Sequence, residues 1–394
     1  MKKALAVLAG VFLIAQIGLS YESADVVSAN CSQKQELKAD CSKFSGGGHA
    51  KNVIIFIGDG MGLNAIYSAR VLQNGPQEPL ELEQMAHKTL IKTCSLSGLT
   101  DSAAAGTALA TGYKTYNAQI GTGPDGKGLE DILDLAKKSG KATGLVTTDM
   151  VVGATPATFA LHQDSRFTFR SLAEEYCEVK PEVLMGGGKD WFSKKGDRPD
   201  LIERERNGGY EVILDRSALP ACGQNGKPVL GLFSDTEMTY EFDRKADCSE
   251  PHLYEMTQKA LDVLAQDPDG FFLMVEGARI DHASHNGDFN RMRQEVLGLD
   301  QAVKVAKDFQ AQHPDTLILI TSDHETGGLK VKPGDYKKGD TVKYTYTTKL
   351  VPGIPAMHST QKVALFGQGP GSEEVEKADD NTPGVLYREP CAGG

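Results

Sequence analysis

The chain has 394 residues, of which 40% are hydrophobic and 24% charged, and a formal net charge of −11. A chain of this length and composition can bury a large core, and its composition excludes the disordered class. Because no basic cluster or stripe offsets the negative charge, nucleic acid and anionic membranes are excluded as expected partners. An acidic protein that binds anions must concentrate positive charge locally, and bound metal ions are one way to do so.

The first 29 residues are predicted to be an export signal. Lys2 and Lys3 precede the apolar segment ALAVLAGVFLIAQIGL, which is short for a membrane anchor and lacks the basic flank that would follow one. Cleavage after Ala29 or after Ser20 fits the small-residue rule, and an uncleaved anchor is the alternative. Residues 30–394 are therefore predicted to form a single domain that is periplasmic or secreted and free of the membrane.

The seven cysteines fit an oxidising compartment, where structural disulfides persist. Cys31 and Cys41 are close enough in sequence to close a short N-terminal loop. Cys94, in the apolar segment LIKTCSL, is the candidate for an unpaired thiol, although the pairing cannot be read from sequence. The remaining cysteines lie in polar segments that are typical of loops: Cys177, Cys222, Cys248 and Cys391.

Short apolar runs alternate with amphipathic segments along the body of the chain. Helices are predicted for LEDILDLAKKSG, which Gly140 ends, for PHLYEMTQKALDVLAQD, and for about Asp288 to His313. The repeated βαβ pattern predicts an α/β three-layer sandwich with a mainly parallel central sheet and helices on both faces. Near-continuous apolar runs, typical of buried parallel strands, predict strands at Val53–Gly58, Thr143–Thr148, Phe271–Gly277, Leu317–Thr321 and Lys362–Gly367.

One polar segment interrupts this pattern. Lys330–Thr348 alternates β-branched and aromatic residues, which predicts a hairpin within a small insertion at about 327–356.

Carboxylates and imidazoles lie at or just after the carboxyl ends of three predicted strands. Open α/β sheets bind their ligands along this carboxyl edge of the sheet. Asp281 and His285 are four residues apart, so one helical turn would put both side chains on the same face. Each residue alone is more typical of a helix cap or a structural histidine, but their recurrence at one edge predicts a metal centre. Carboxylates with imidazoles suit zinc. The residues are Asp59, Glu276, Asp281, His285, Asp323 and His324.

The segment LTDSAAAGTALATGYKT places Ser102 at the start of a predicted helix. Backbone N–H groups and the helix dipole favour an anion there, although serine is also a preferred helix cap. The sequence has no GxSxG elbow, so a nucleophilic Ser102 would need a metal ion for its activation. The segments MGGGKD and IGDGMG do not fit the P-loop or the dinucleotide fingerprint, so no nucleotide-binding loop is predicted.

These segments together resemble the alkaline phosphatase family. The similarity extends from about Asn52 to Gly369, through IGDGMG, TDSAAAGTALATG, GATPATFALHQDSR, LMGGGKDWF, MVEGARIDHASH, LDQAV, TSDHETGG and MHST. It implies hydrolysis of small phosphomonoesters through a phosphoserine intermediate, with broad specificity and at alkaline pH. It also implies an exported homodimer with two zinc ions and one magnesium ion in each chain.

The resemblance also assigns roles to residues. Ser102 would be the nucleophile, Arg166 would hold two phosphoryl oxygens as a fork, and Asp101 and His282 would support the site. The implied metal ligands are Asp281, His285 and His358 for one zinc, Asp59, Asp323 and His324 for the second, and Glu276, Thr155 and the bridging Asp59 for magnesium.

The chain departs from the family pattern at the implied magnesium site. Relatives usually have Asp or His two residues before the threonine, where this chain has Gly153. Because glycine can neither ligate an ion nor orient its water, weaker magnesium binding is predicted, unless Asp149 compensates. Two alternative functions remain open: a phosphodiesterase of the same superfamily, and a non-catalytic periplasmic binder of metal or phosphate.

Overall fold

The computed structural model of the protein describes residues 30–31, 49–348 and 355–382. The predicted signal peptide at 1–29 lies outside these residues, as do Cys41 and Cys391. Across the described ranges, no helix combines the length and the apolar character needed to span a bilayer.

Helices and strands alternate along the described residues. The strands are β1 (Asn52–Gly58), β2 (His87–Ile91), β3 (Ala142–Met150), β4 (Val183–Gly187), β5 (Glu211–Ile213), β6 (Val229–Leu232), β7 (Phe271–Gly277), β8 (Thr316–Thr321), β9 (Glu325–Thr326), β10 (Leu329–Val331), β11 (Tyr344–Tyr346), β12 (His358–Ser359) and β13 (Val363–Gln368). The α-helices are α1 (Leu63–Gln73), α2 (Ser102–Thr111), α3 (Ile132–Lys138), α4 (Ala154–Thr158), α5 (Phe169–Val179), α6 (Lys189–Phe192), α7 (Leu201–Asn207), α8 (Leu253–Leu264), α9 (Arg279–Asn286) and α10 (Phe289–Gln312).

Nine strands of the described chain form one mixed, mostly parallel sheet in the order β2-β13-β8-β1-β7-β3-β4-β6-β5. Strand β1 lies inside it, parallel to β7 and β8. All five predicted strands are present, but β13 is antiparallel to both β8 and β2, contrary to the parallel arrangement predicted for Lys362–Gly367. An apolar run reports burial on both faces and carries no information about strand direction.

Helices cover both faces of the sheet, as predicted. Side chains of β1 alternate between two cores: Ile54 and Phe56 pack in the core that contains α1, α8 and α10, and Ile55 and Ile57 pack in the core that contains α2, α4 and α5. The segment predicted as a hairpin contributes β10 and β11, which pair antiparallel.

The cysteines differ from the prediction. Cys94 is not a free thiol, because it forms a disulfide with Cys31 that joins Cα atoms 5.4 Å apart. The proposed Cys31–Cys41 bridge is therefore wrong. Cys177 is buried within α5 instead of lying in a loop, and its thiol donates to the carbonyl oxygen of Ala173. Cys94 is buried, as its apolar segment allows, but a buried cysteine can be either a thiol or half of a disulfide.

Candidate metal centre

The register of three parallel strands brings carboxylates together at one sheet edge. Ile57 of β1 pairs with Glu276 of β7 on one side and with Thr321 of β8 on the other. Asp59 and Asp323 each lie two residues beyond this row, so both follow the strand ends while Glu276 remains inside its strand. All three are buried, with exposed fractions of 6% for Asp59, 1% for Glu276 and 0% for Asp323.

The first group of candidate ligands contains Asp281, His285 and His358, whose ligand atoms lie within 4.8 Å of one another. Helix α9 carries Asp281 and His285 one turn apart, as their spacing predicts. His285 Nε2 lies 3.1 Å from Asp281 Oδ2 and 3.2 Å from His358 Nε2. The Nδ1 atoms of both imidazoles face the backbone carbonyl oxygens of Ala356 and Thr100, which aims both Nε2 atoms into the group.

The second group contains Asp59, Asp323 and His324, whose ligand atoms also lie within 4.8 Å of one another. His324 Nε2 lies 3.0 Å from Asp323 Oδ2 and 3.6 Å from Asp59 Oδ1. The ring of His324 stacks on that of His358 with centroids 3.6 Å apart, so the two groups are adjacent. Thr326, which the sequence did not single out, connects them, because its hydroxyl contacts both Asp281 and His324 Nδ1.

Ser102 begins α2 beside the second group, with its Oγ 3.3 Å from His324 Nε2. The helix is capped by Asp101, whose Oδ1 accepts a hydrogen bond from the Ala104 N–H at 3.0 Å. Small residues let α2 pack closely, and a Cβ at Gly106 would lie only 2.4 Å from Thr158 Oγ1 in α4. The helix N-terminus is therefore held against the ligand groups, where its N–H groups favour an anion.

Ser102, His324 and Asp323 do not form a serine-hydrolase triad. In such a triad the carboxylate binds one imidazole nitrogen and the serine the other. Here Ser102 Oγ and Asp323 Oδ2 both approach Nε2, and Nδ1 lies 3.2 Å from Thr326 Oγ1. Convergence of oxygens on one nitrogen is the arrangement expected of ligands around a shared ion.

Arg166 contacts Asp101, the residue that directly precedes Ser102. Asp101 Oδ2 accepts hydrogen bonds from Arg166 Nη1 at 3.2 Å and from the Ala118 N–H at 3.0 Å. The Arg166 N–H in turn donates to the Ala118 carbonyl oxygen at 2.8 Å. One carboxylate thus caps the helix of Ser102 with one oxygen and orients a guanidinium with the other.

The implied magnesium ligands Glu276 and Thr155 are also buried at this edge. Among the described residues, Thr155 Oγ1 has no hydrogen-bond partner, and Glu276 Oε2 accepts from Thr147 Oγ1 at 2.5 Å. A Cβ at Gly153 would lie 2.4 Å from Asp149 Oδ2, so the Asp149 carboxylate occupies the space that a side chain at 153 would need.

His282 lies in a further cluster beside this edge. Its ring nitrogen, the Asp149 carboxylate and the Glu237 carboxylate lie within 4.8 Å of one another. Glu237 was missed by the sequence reasoning, because it follows β6 in a segment without any local pattern.

The electrostatics of the centre call for added positive charge. Burial, and then the Asp323 carboxylate, raise the pKa of Asp59 well above its ordinary value. Burial, and then Asp149, raise the pKa of Glu276 to about 8. Burial and the neighbouring His324 lower the pKa of His358 to about 4. Within the described chain, Asp59 Oδ1 also has no hydrogen-bond partner. Buried carboxylates in this state fit bound cations.

Known proteins share both the sequence and the fold. The alkaline phosphatase family pattern matches residues 50–385. Alkaline phosphatase 3 of Bacillus subtilis (strain 168) is 38% identical over 324 residues, which cover 79% of this chain and 67% of the relative. Alkaline phosphatase 4 of the same organism is 40% identical over 294 residues, covering 71% and 62%. The chain thus spans about two thirds of the length of these relatives.

Among solved structures, the alkaline phosphatase of the Antarctic bacterium TAB5 has a similar fold. The TM-score is 0.75 at 29% identity, and the alignment covers 87% of this chain and 97% of that protein. A variant of the TAB5 enzyme has Mg bound in a site named M3. The matched family pattern, the curated relatives and the shared fold agree, and the chain belongs to the alkaline phosphatase family.

Proposed function

We propose that the protein hydrolyses phosphate monoesters through a phosphoserine formed on Ser102, at a centre of two zinc ions and one magnesium ion. The observation that carries this proposal is the position of Ser102 Oγ, 3.3 Å from His324 Nε2 at the N-terminus of α2. A serine that only capped the helix would not need to face a ligand group, and here the cap is Asp101 instead.

The two groups of Asp and His ligands fit zinc, since carboxylate oxygens and Nε2 atoms converge in each. Zinc ions bound there would supply Lewis acidity and the positive charge that the buried carboxylates lack. Arg166 would bind two oxygens of the phosphoryl group, and Asp101 keeps its guanidinium in place for that contact. The N–H groups at the start of α2 add favourable electrostatics for the same anion.

In the proposed reaction, Ser102 Oγ forms a bond to phosphorus while the ester bond to the leaving group breaks and the alcohol departs. Water then attacks phosphorus from the vacated side, inorganic phosphate leaves, and the Ser102 hydroxyl is restored. Each step inverts phosphorus, so the overall stereochemistry is retained. Arg166 stays bound to the phosphoryl oxygens through both steps and keeps the reacting atoms in line.

The first test compares a monoester with its diester. The zinc- and magnesium-loaded protein is expected to hydrolyse p-nitrophenyl phosphate with a kcat/KM at least about 100-fold above that for bis(p-nitrophenyl) phosphate. A chelator should abolish both activities, and zinc should restore them. A preference for the diester would identify a phosphodiesterase, and loaded protein without turnover would identify a binder.

We predict that magnesium binds weakly and depends on Asp149. Its carboxylate occupies the space above Gly153, so Asp149→Ala should weaken magnesium binding by about 10- to 100-fold. Calorimetric titration of magnesium into the zinc-loaded protein measures this, with the exposed Asp164→Ala as the control. Tight stoichiometric binding by the unchanged protein, or equal affinities for both variants, would contradict the prediction.

We also propose that the protein is exported. The Cys31–Cys94 disulfide supports this, because such bonds persist in oxidising compartments. A homodimer stays a prediction from the family.

A further inference from the structure

A buried carboxylate that the proposed reaction does not use lies at the start of α3. Asp131 has an exposed fraction of 0%. Its Oδ1 caps the helix by accepting a hydrogen bond from the Asp134 N–H at 2.8 Å. Its Oδ2 is buried and has no hydrogen-bond partner among the residues that the structure describes. Helix capping therefore accounts for the burial of Oδ1. It does not account for Oδ2, whose burial without a hydrogen bond carries a substantial desolvation cost.

The unpartnered oxygen faces His162. Asp131 Oδ2 lies 3.8 Å from His162 Nε2, which in turn lies 2.7 Å from the carbonyl oxygen of Leu129. One ligand atom each from Asp131, Asp134 and His162 lies within 4.8 Å of the others. The ring of His162 packs against Gly128, where an added Cβ would lie 3.0 Å from its Cδ2.

The charges in this cluster favour a bound cation over a simple imidazole–carboxylate pair. The cluster contains two carboxylates, and a third, Glu175 Oε1, lies 3.9 Å from His162 Nδ1. His162 Nε2 is farther from Asp131 Oδ2 than a hydrogen bond allows, so the imidazole does not satisfy this buried oxygen.

We propose that Asp131, Asp134 and His162 bind a divalent metal ion, with zinc as the best fit, at a site separate from the catalytic centre. The ion would displace the proton through which His162 Nε2 is hydrogen-bonded to the Leu129 carbonyl oxygen. Two carboxylates with one imidazole form a donor set that zinc accepts. The ion would provide the partner that Asp131 Oδ2 lacks.

This site would brace the segment that carries Arg166. His162 lies four residues before Arg166, and Gln163 exchanges two backbone hydrogen bonds of 2.9 Å with Ile120. The Arg166 N–H donates to Ala118, two residues before Ile120. An ion that joins α3 to His162 would therefore restrain the 163–166 segment and, through these hydrogen bonds, the 118–120 segment.

The test uses Asp131→Asn, because asparagine caps a helix as well as aspartate but removes the buried charge. The matched control is Asp200→Asn, since Asp200 caps α7 by accepting from the Glu203 N–H at 3.1 Å, with an acidic first turn but without a clustered histidine among the described residues. After zinc loading and removal of the excess, metal analysis should find one zinc fewer in Asp131→Asn than in the unchanged protein and no loss in Asp200→Asn.

Thermal melting at pH 8 gives a second readout, because the expected difference in melting temperature between Asp131→Asn and the unchanged protein disappears or reverses when zinc is removed. With zinc, Asp131→Asn should melt about 2–5 °C below the unchanged protein. In chelator it should melt at the same temperature or higher, because the unpaired buried carboxylate is gone. Equal zinc contents would overturn the proposal. A lower melting temperature of Asp131→Asn in chelator would also overturn it, since that result indicates an ion pair with His162.

Discussion

Ser102→Ala is expected to lower kcat/KM for p-nitrophenyl phosphate by about 10⁴-fold or more, because loss of a catalytic nucleophile removes the covalent route. The zinc content should not change, since the metal ligands in the proposal are carboxylates and imidazoles. The small residual rate would come from the metal ions and Arg166, which can still orient water on the bound ester.

The control for this variant is Ser193→Ala. Ser193 follows α6, and its hydroxyl donates to the Lys189 carbonyl oxygen at 2.9 Å, so removing it touches neither ligand group. A second measurement is labelling by radioactive phosphate in acid, which should mark the unchanged protein and Ser193→Ala but not Ser102→Ala. Turnover that survives Ser102→Ala would refute the phosphoserine mechanism, and labelling of that variant would move the nucleophile to another residue.

Asp59→Ala is expected to reduce the metal content by two ions, the largest metal loss from any single substitution at the centre. The Asp59 carboxylate lies 3.6 Å from His324 Nε2, and the charges of Asp323, Asp281 and Glu276, one from each group of implied ligands, all raise its pKa. Activity should fall by about 10³-fold or more, because the ions that stabilise the developing charge would be lost together.

Asp190→Ala is the matched control, since Asp190 also follows a parallel strand of the sheet, β4, but forms an ion pair with Lys195 at 2.8 Å. Its metal content should equal that of the unchanged protein. Asp59→Asn should lose less metal than Asp59→Ala, because one amide oxygen can still act as a ligand. Full metal content in Asp59→Ala would show that the bridging role is wrong.

Much of the fold could be predicted because its strands are short and apolar. Burial on both faces produces continuous apolar runs, and β1, β3, β7 and β8 follow them closely. The direction of β13 could not be predicted, since it depends on which neighbour the strand finds in the sheet. The disulfide could not be predicted for a similar reason, because Cys31 and Cys94 are 63 residues apart and only packing brings them together.

The candidate site likewise has parts that the sequence could predict and parts that it could not. Asp281 and His285 were predictable from their spacing, since one helical turn is a local property. Asp101 lies 65 residues from Arg166, and no local pattern connects them. The position of the Asp149 carboxylate over Gly153 depends on the turn that follows β3. Composition and periodicity do not encode the geometry of that turn.

The amino-acid sequence by itself determined the βαβ pattern, the residue types of a metal centre at the ends of the strands, and the resemblance to alkaline phosphatases. Each of these depends on neighbours within a few residues or on motifs of fixed spacing. Only the tertiary structure decided the direction of β13, the partner of Cys94, the orientation of Arg166 by Asp101, and the juxtaposition of Asp131 with His162. These features join residues far apart in sequence, and their geometry exists only once the sheet and its helices have packed.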